Sequence, residues 1–210
     1  DDRGLLSEVA AAYNSFRRYY DVAKTLSKML GPLPEKREDY MQVARAYHNG
    51  ERYQGADSIF QVIIKSSPDY VPAYIGRART YSKMDPDTKL GLAKPRFEEV
   101  IRIAEKDSLK YEAEMGEAFT YLGYYHMMNG NWGKSKDYYN RMVNLDPNNK
   151  ENKIKGYSYI GSVELRSTSD EKTNEGRLPY LNRAADAYNK VLAIDPANAA
   201  AKSQLNYIRD

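Results

Sequence analysis

The sequence repeats a pattern of small and large apolar residues every 34 positions. Alanines and tyrosines recur at this spacing, at Ala10, Ala44 and Ala78 and at Tyr13, Tyr47 and Tyr81. The stretch from Lys36 to Tyr70 is the clearest copy, with Ala56 and Phe60 in its second half and Pro68 near its end. A fixed period of about 20 to 50 residues is typical of arrays in which one small unit stacks on the next. The period therefore predicts a helical repeat array.

Each copy of the pattern predicts two helices. Leu6, Val9, Ala10 and Tyr13 follow the i, i+3, i+4, i+7 spacing that places side chains on one helix face. The Gly31-Pro32 pair predicts the end of the second helix, because Gly accepts a left-handed cap and Pro cannot continue a helix. The sequence predicts an all-α fold of about eleven helices. One array is expected over 1–210, with repeats at about 3–36, 37–70, 71–107, 108–148 and 149–197 and a capping helix at 197–209.

Several stretches depart from the regular pattern. The turn at Asp85-Pro86 is about three residues longer than its counterpart in the second repeat, and the next helix is expected to begin just before Pro95. The first helix of the fourth repeat is predicted to start near Ser108. Residues 166–178 are polar without apolar periodicity, which predicts an exposed loop.

The pattern resembles the tetratricopeptide repeat (TPR) family. The match is most specific in the first, second and fourth repeats, and in the fourth it rests on Leu122, Gly123, Gly130, Trp132, Tyr139, Met142 and Pro147. The resemblance implies a right-handed α-α superhelix, a TPR solenoid, in which the first helix of each pair lines a concave groove. It also implies a scaffold for protein–protein interaction.

The composition narrows the class of partner. The formal net charge is only +3, which is far from the strongly basic character of nucleic-acid binders. No apolar run approaches the length of about 20 residues that a membrane span needs. There is no cysteine, and the first residue is not Met, so a processed or trimmed N-terminus is expected. Cytoplasmic and periplasmic locations both stay open.

No arrangement of residues indicates catalysis, a cofactor or a metal ion. The two histidines, His48 and His126, lie in different repeats. His126 occupies the place of Tyr47 and Tyr81 and is predicted to be a packing residue. His48 is predicted to face the groove without a carboxylate or nucleophile beside it. The sequence therefore predicts a protein that is not an enzyme and that has no cofactor.

The candidate site residues are those that first helices turn away from their partner helices. They are Arg45, His48, Asn49, Arg79, Lys83, Tyr124, Met127 and Arg166. Arg45 and Arg79 occupy equivalent places in neighbouring repeats, so two guanidinium groups are expected to hold acidic groups of a peptide or protein segment. The alternative for each arginine is a solvated side chain or a pair with an acid such as Glu38.

A second function stays open from the sequence. In this alternative the chain is a structural or assembly module of a larger TPR-containing protein or complex. In that case it packs on its neighbours through its long helices and the 166–178 loop.

Overall fold

The computed structural model describes residues 2–209, and every regular element in this range is helical. The predicted all-α fold and the number of helices are confirmed. The α-helices are α1 (Asp2–Ser15), α2 (Tyr19–Ser27), α3 (Arg37–Asn49), α4 (Tyr53–Ser66), α5 (Val71–Met84), α6 (Lys94–Ala104), α7 (Glu112–Met128), α8 (Trp132–Val143), α9 (Lys150–Ser167), α10 (Asn174–Ile194) and α11 (Ala199–Arg209).

The chain forms two compact units, unit 1 up to Ile103 and unit 2 from Ala104. In unit 1 each helix from α1 to α5 packs on the next, and in unit 2 the helices from α7 to α11 do the same. This sequential packing is the arrangement that a helical repeat array requires. A single array over 1–210, with the repeat bounds given above, stays a prediction.

In unit 1 the core forms where small residues allow helices to approach closely. Ala44 of α3 and Ala56 of α4 are fully buried beside Phe60. A Cβ atom added to Gly76 of α5 would lie 2.5 Å from Cζ of the Phe60 ring. The ring therefore occupies the space that the missing side chain leaves, and α4 and α5 pack at close range.

An ion pair with little exposure also joins α4 to α5. The Oδ1 atom of Asp57 accepts a hydrogen bond from Nε of Arg77 at 2.5 Å, and its Oδ2 atom accepts one from the Tyr81 hydroxyl at 3.1 Å. The side chains of Asp57 and Arg77 are only 15% and 12% exposed. Arg77 thus stabilises the helix packing, whereas the neighbouring Arg79 is exposed.

In unit 2 the helix pairs depend on tyrosines that lie against glycines. Tyr139 of α8 is 1% exposed, and a Cβ atom on Gly123 of α7 would overlap its ring. The Ser135 hydroxyl donates a hydrogen bond to the Gly123 carbonyl at 2.7 Å. A Cβ atom on Gly161 of α9 would lie 2.7 Å from Cζ of Tyr188 in α10. The same device therefore joins both helix pairs of the unit.

Glu164 of α9 joins three helices. Its side chain is 3% exposed and accepts hydrogen bonds from Nζ of Lys136 in α8 at 2.7 Å and from Nε of Arg183 in α10 at 3.0 Å. Two cations offset the cost of burying one carboxylate, provided that both remain in place.

The predicted 166–178 loop is wrong. Helix α9 continues to Ser167, a short 3-10 turn covers Thr168–Asp170, and α10 begins at Asn174. The Thr173 side chain caps α10 by accepting a hydrogen bond from the Gly176 amide at 3.0 Å. A first turn that is stabilised by a cap does not require an apolar face. The polar sequence therefore gave no periodic signal for the start of this helix.

The predicted start of the fourth repeat's first helix near Ser108 is also wrong. A 3-10 turn covers Glu105–Asp107, and α7 begins only at Glu112. Leu109 is 65% exposed, so its side chain adds little apolar burial to an earlier helical turn. The expectation that a helix begins just before Pro95 is confirmed, since α6 starts at Lys94.

Replacing Gly123 by Ala should lower the free energy of unfolding of unit 2 by about 1–3 kcal/mol, because the buried Tyr139 ring has little room to move. Gly116→Ala is the matched control on the same helix. There the nearest atom to an added Cβ, Oδ1 of Asn152, is 3.6 Å away. That change should be neutral or stabilise by up to about 1 kcal/mol. Urea unfolding followed by the fluorescence of Trp132, the chain's one tryptophan, measures unit 2 directly. Equal destabilisation by both substitutions would contradict the close-packing account.

Replacing Glu164 by Gln should lower the free energy of unfolding by about 1–3 kcal/mol, because two cations lose their buried partner. The cost stays below that of a fully buried pair, since Lys136 and Arg183 are 29% and 47% exposed and can recover water. Glu151→Gln removes the same charge from the exposed Glu151–Lys155 pair and should leave the urea midpoint nearly unchanged. A Glu164→Gln midpoint equal to that of Glu151→Gln would show that the three-helix contact adds no stability.

Candidate functional site

Five of the candidate residues lie in unit 1 on the outward sides of two first helices. We call them the basic surface, which consists of Arg45, His48 and Asn49 of α3 with Arg79 and Lys83 of α5. Helices α3 and α5 contact each other directly. His48 is half-buried, and the other four side chains are exposed. The helical period explains this placement, because each residue follows an inward-facing small residue or tyrosine by one or two positions.

Thr80 of α5 fixes the position of the His48 ring. Its hydroxyl group lies 2.9 Å from Nδ1 of His48 and donates a hydrogen bond to the Gly76 carbonyl at 2.9 Å. Thr80 is fully buried. The sequence analysis missed Thr80, because a threonine inside a helix has no distinctive spacing.

Cations of α5 act on the imidazole from one side. Burial lowers the pKa of His48 below its usual value, and the positive charges of Lys83 and then Arg79 lower it further. Both charges disfavour a third cation, so they favour the neutral form of the imidazole. The structure thus brings together three candidate residues from two helices.

Glu38 does not pair with Arg45. Its Oε1 atom accepts a hydrogen bond from the Tyr70 hydroxyl at 2.5 Å. Burial and this hydrogen bond raise the pKa of Tyr70 to about 12. Within residues 2–209, the ion pairs do not include Arg45 or Lys83. Both cations therefore remain available to carboxylates of another molecule.

A hollow of about 370 Å³ lies beside Arg45, between α1, α2 and α3. Its buried lining is apolar and includes Ala10, Val22 and Ala46. Its exposed lining is polar and includes Asn14, Gln42, Arg45 and Asn49. Such a hollow can take one apolar side chain while the amide groups at its rim bond to a peptide backbone. The sequence analysis did not predict this hollow.

The remaining three candidate residues lie in unit 2, and the structure brings only two of them together. Met127 and Arg166 line an open pocket of about 480 Å³ with Met128, Trp132 and Leu165, and we call it the methionine pocket. Nη1 of Arg166 lies 3.2 Å from the sulfur of Met128. Tyr124 is 40% exposed and does not line this pocket. The indole of Trp132 donates a hydrogen bond to Asp170 at 2.5 Å. The repeat pattern includes Trp132 but does not predict this contact.

The basic surface and the methionine pocket belong to different units. That both line one groove stays a prediction.

The other histidine is a packing residue. His126 is 5% exposed and stacks on the Tyr138 ring, with ring centroids 5.6 Å apart. Between residues 2 and 209, no three His, Cys, Asp or Glu side chains lie close enough together to hold a metal ion. In the same range, none of the helices combines the length and the apolar character that crossing a bilayer requires.

Comparisons with known proteins identify the repeat. Residues 116–149, which span most of α7 and all of α8, match the sequence model of the tetratricopeptide repeat. No curated protein matches the sequence.

Several solved structures share the fold. A MamA RS-1 ArsTM double mutant is 20% identical, with a TM-score of 0.61 over 95% of this chain and 98% of that one. A TPR repeats protein from Bacteroides fragilis is 15% identical, with a TM-score of 0.53 over 98% and 97% of the two chains. The C-terminal part of a TPR repeat-containing protein from Cytophaga hutchinsonii is 22% identical, with a TM-score of 0.54 over 95% of this chain. The present chain spans 58% of the length of that structure.

At these identities the structural likeness concerns the fold. Stacked helical repeats of this kind offer an extended surface. The resemblance predicted from the sequence is thus confirmed: the chain has the tetratricopeptide repeat fold, and residues 116–149 are one tetratricopeptide repeat.

Proposed function

We propose that this protein is a non-enzymatic scaffold that binds an acidic segment of another protein on the basic surface of unit 1. The observation that carries this proposal is the set of cations beside an apolar hollow. Arg45 lies at the rim of the hollow, and Arg79 and Lys83 follow on the neighbouring first helix.

The spacing of the two arginines suits an extended chain. Packed helices lie about 8–10 Å apart, and an extended peptide advances about 3.3 Å per residue. Arg45 and Arg79 occupy equivalent places on α3 and α5, so they suit carboxylates about three residues apart. A guanidinium group binds a carboxylate through two parallel hydrogen bonds, which gives this contact direction as well as energy.

The hollow favours a protein partner over a nucleic acid. An apolar lining of Ala10, Val22 and Ala46 offers nothing to a phosphate, whereas it accommodates an aliphatic side chain. The small net charge of +3 supports the same choice, since phosphate backbones are bound through many cations. The proposed ligand therefore combines one apolar side chain with two acidic ones.

The surroundings of His48 support a function without catalysis. Its Nδ1 atom is engaged by Thr80, and the charges that act on it among the described residues are both positive. A general base of the usual kind has a carboxylate or a nucleophile within hydrogen-bond reach.

The alternative function, an assembly module of a larger protein or complex, rests on unit 2. Met128 is 46% exposed at the methionine pocket, beside the ends of α7 and α9. In this alternative, residues 166–178 would contact the neighbouring protein mainly through helical segments rather than through a loop. Light scattering on the purified chain distinguishes self-assembly from a monomer, and a monomer at all concentrations would oppose assembly through identical copies.

The binding test uses an acidic probe, the acetylated and amidated peptide Gly-Leu-Glu-Ser-Ser-Glu-Gly, and a neutral probe with Gln in place of both Glu residues. We expect the acidic probe to bind more tightly, and the double variant Arg45→Glu/Arg79→Glu to weaken its binding by more than about tenfold. NMR titration of backbone amides measures the affinity and shows where the probe lies.

The matched control is Lys65→Glu/Arg102→Glu, which makes the same change in charge at exposed positions on the second helices α4 and α6. It should change the affinity by less than about twofold, because distant surface charges are screened by salt. Equal losses in both double variants, or equal binding of both probes, would contradict a specific site at the basic surface.

A further inference from the structure

The Thr80 hydroxyl contacts both the Gly76 carbonyl and Nδ1 of His48, so it couples the protonation of the ring to the helix backbone. A hydroxyl group has one proton, and the Thr80 hydroxyl donates it to the Gly76 carbonyl. With its proton on the Gly76 carbonyl, the same oxygen accepts from Nδ1 of His48, which lies 2.9 Å away; in the other tautomer Nδ1 accepts from the hydroxyl. Because Thr80 is fully buried, water does not compete for this contact. In the arrangement in which the hydroxyl donates to the Gly76 carbonyl, Nδ1 bears the hydrogen of the neutral ring, and Nε2 is the nitrogen that takes up a proton.

In the protein without a ligand, the charged groups near the His48 ring disfavour its protonation. Lys83 and Arg79 act on the imidazole from α5, and Arg45 lies one turn before it on α3. The neutral Tyr53 ring of α4 lies edge-on to the imidazole, with centroids 5.9 Å apart. Over residues 2–209, the charges that lower the pKa of His48 are all cationic, and burial lowers it most.

An acidic ligand reverses this balance. Carboxylates that lie on Arg79 and Lys83 neutralise the two charges that repel a proton on His48. A carboxylate oxygen within reach of Nε2 also accepts a hydrogen bond from the protonated ring, and such charge-assisted bonds are strong. The pKa of His48 is therefore higher in the complex than in the protein alone.

We propose that the basic surface takes up a proton on Nε2 of His48 when it binds an acidic protein segment, so that it binds such segments more tightly in mildly acidic solution. This inference rests on the proposed function, because it concerns the same surface and the same class of ligand.

The sign of the pH dependence follows from linkage. Between the lower pKa of His48 in the protein alone and its higher pKa in the complex, the complex holds more protons. Affinity therefore rises as the pH falls through that window, and it is constant above and below it. Glutamate side chains with pKa values of about 4.3 stay ionised at about pH 5.5, so the probe itself contributes little to the change.

Two measurements on the same samples test the inference. NMR titration of the imidazole C–H signals gives the pKa of His48 with and without saturating acidic probe. Only two histidines are present, and the buried His126 provides an internal reference. We expect the pKa of His48 to rise by about one unit on binding, and the dissociation constant to fall by about threefold to tenfold between about pH 7.5 and about pH 5.5.

His48→Gln provides the matched variant. The ratio of its affinities at the two pH values should be close to one, whatever its affinity at either pH, because its side chain does not titrate. All titrations use one ionic strength, so that screening of the arginines is constant.

The possible results separate the two proposals. A raised His48 pKa together with a pH-dependent affinity that His48→Gln loses supports the inference. If the probe binds and Arg45→Glu/Arg79→Glu weakens it, while the pKa of His48 stays the same, the inference is wrong and the proposed function stands. If the acidic probe fails to bind at either pH, both are overturned.

Discussion

The packing of each unit depends on aromatic rings that lie where a neighbouring helix has no side chain. Phe60 lies against Gly76 in unit 1, and Tyr139 lies against Gly123 in unit 2. A ring buries a large apolar area, and a glycine opposite allows the two helix axes to approach. The stack therefore depends on matched pairs of large and small residues more than on the apolar content of any one helix.

This packing also decides which side chains face outward. Once Ala44 and Ala78 are turned inward, the helical period turns Arg45 and Arg79 outward. Equivalent residues of neighbouring first helices then lie in rows. The fold supplies the position of the rows, and the chemistry of the outward residues supplies the preference for a ligand. In unit 1 that chemistry is cationic beside an apolar hollow, and this is the basis of the proposal that unit 1 binds acidic segments.

The helix pairs could be predicted from the sequence because their inward residues repeat at a constant spacing. The sequence predicts a loop at residues 166–178 because the first turn of α10 has no apolar period. That turn is stabilised by the Thr173 cap instead. The same spacing predicts that Arg45 and His48 face away from the core; Arg45 is exposed, whereas His48 is half-buried. The hydrogen bond between His48 and Thr80 could not be predicted, because it joins two helices whose relative rotation depends on packing along their whole length. The apolar hollow could not be predicted either, because its shape depends on how α1, α2 and α3 pack together.

The proposed function requires that Arg45 contacts an acidic side chain of the ligand, and a double-mutant cycle measures this contact. The cycle combines Arg45→Ala with replacement of one probe glutamate by glutamine, and the affinity of all four combinations is measured. A direct contact predicts a coupling energy of about 0.5–3 kcal/mol for one of the two glutamates. Additive effects within about 0.3 kcal/mol for both glutamates would show that Arg45 does not touch the ligand's acids.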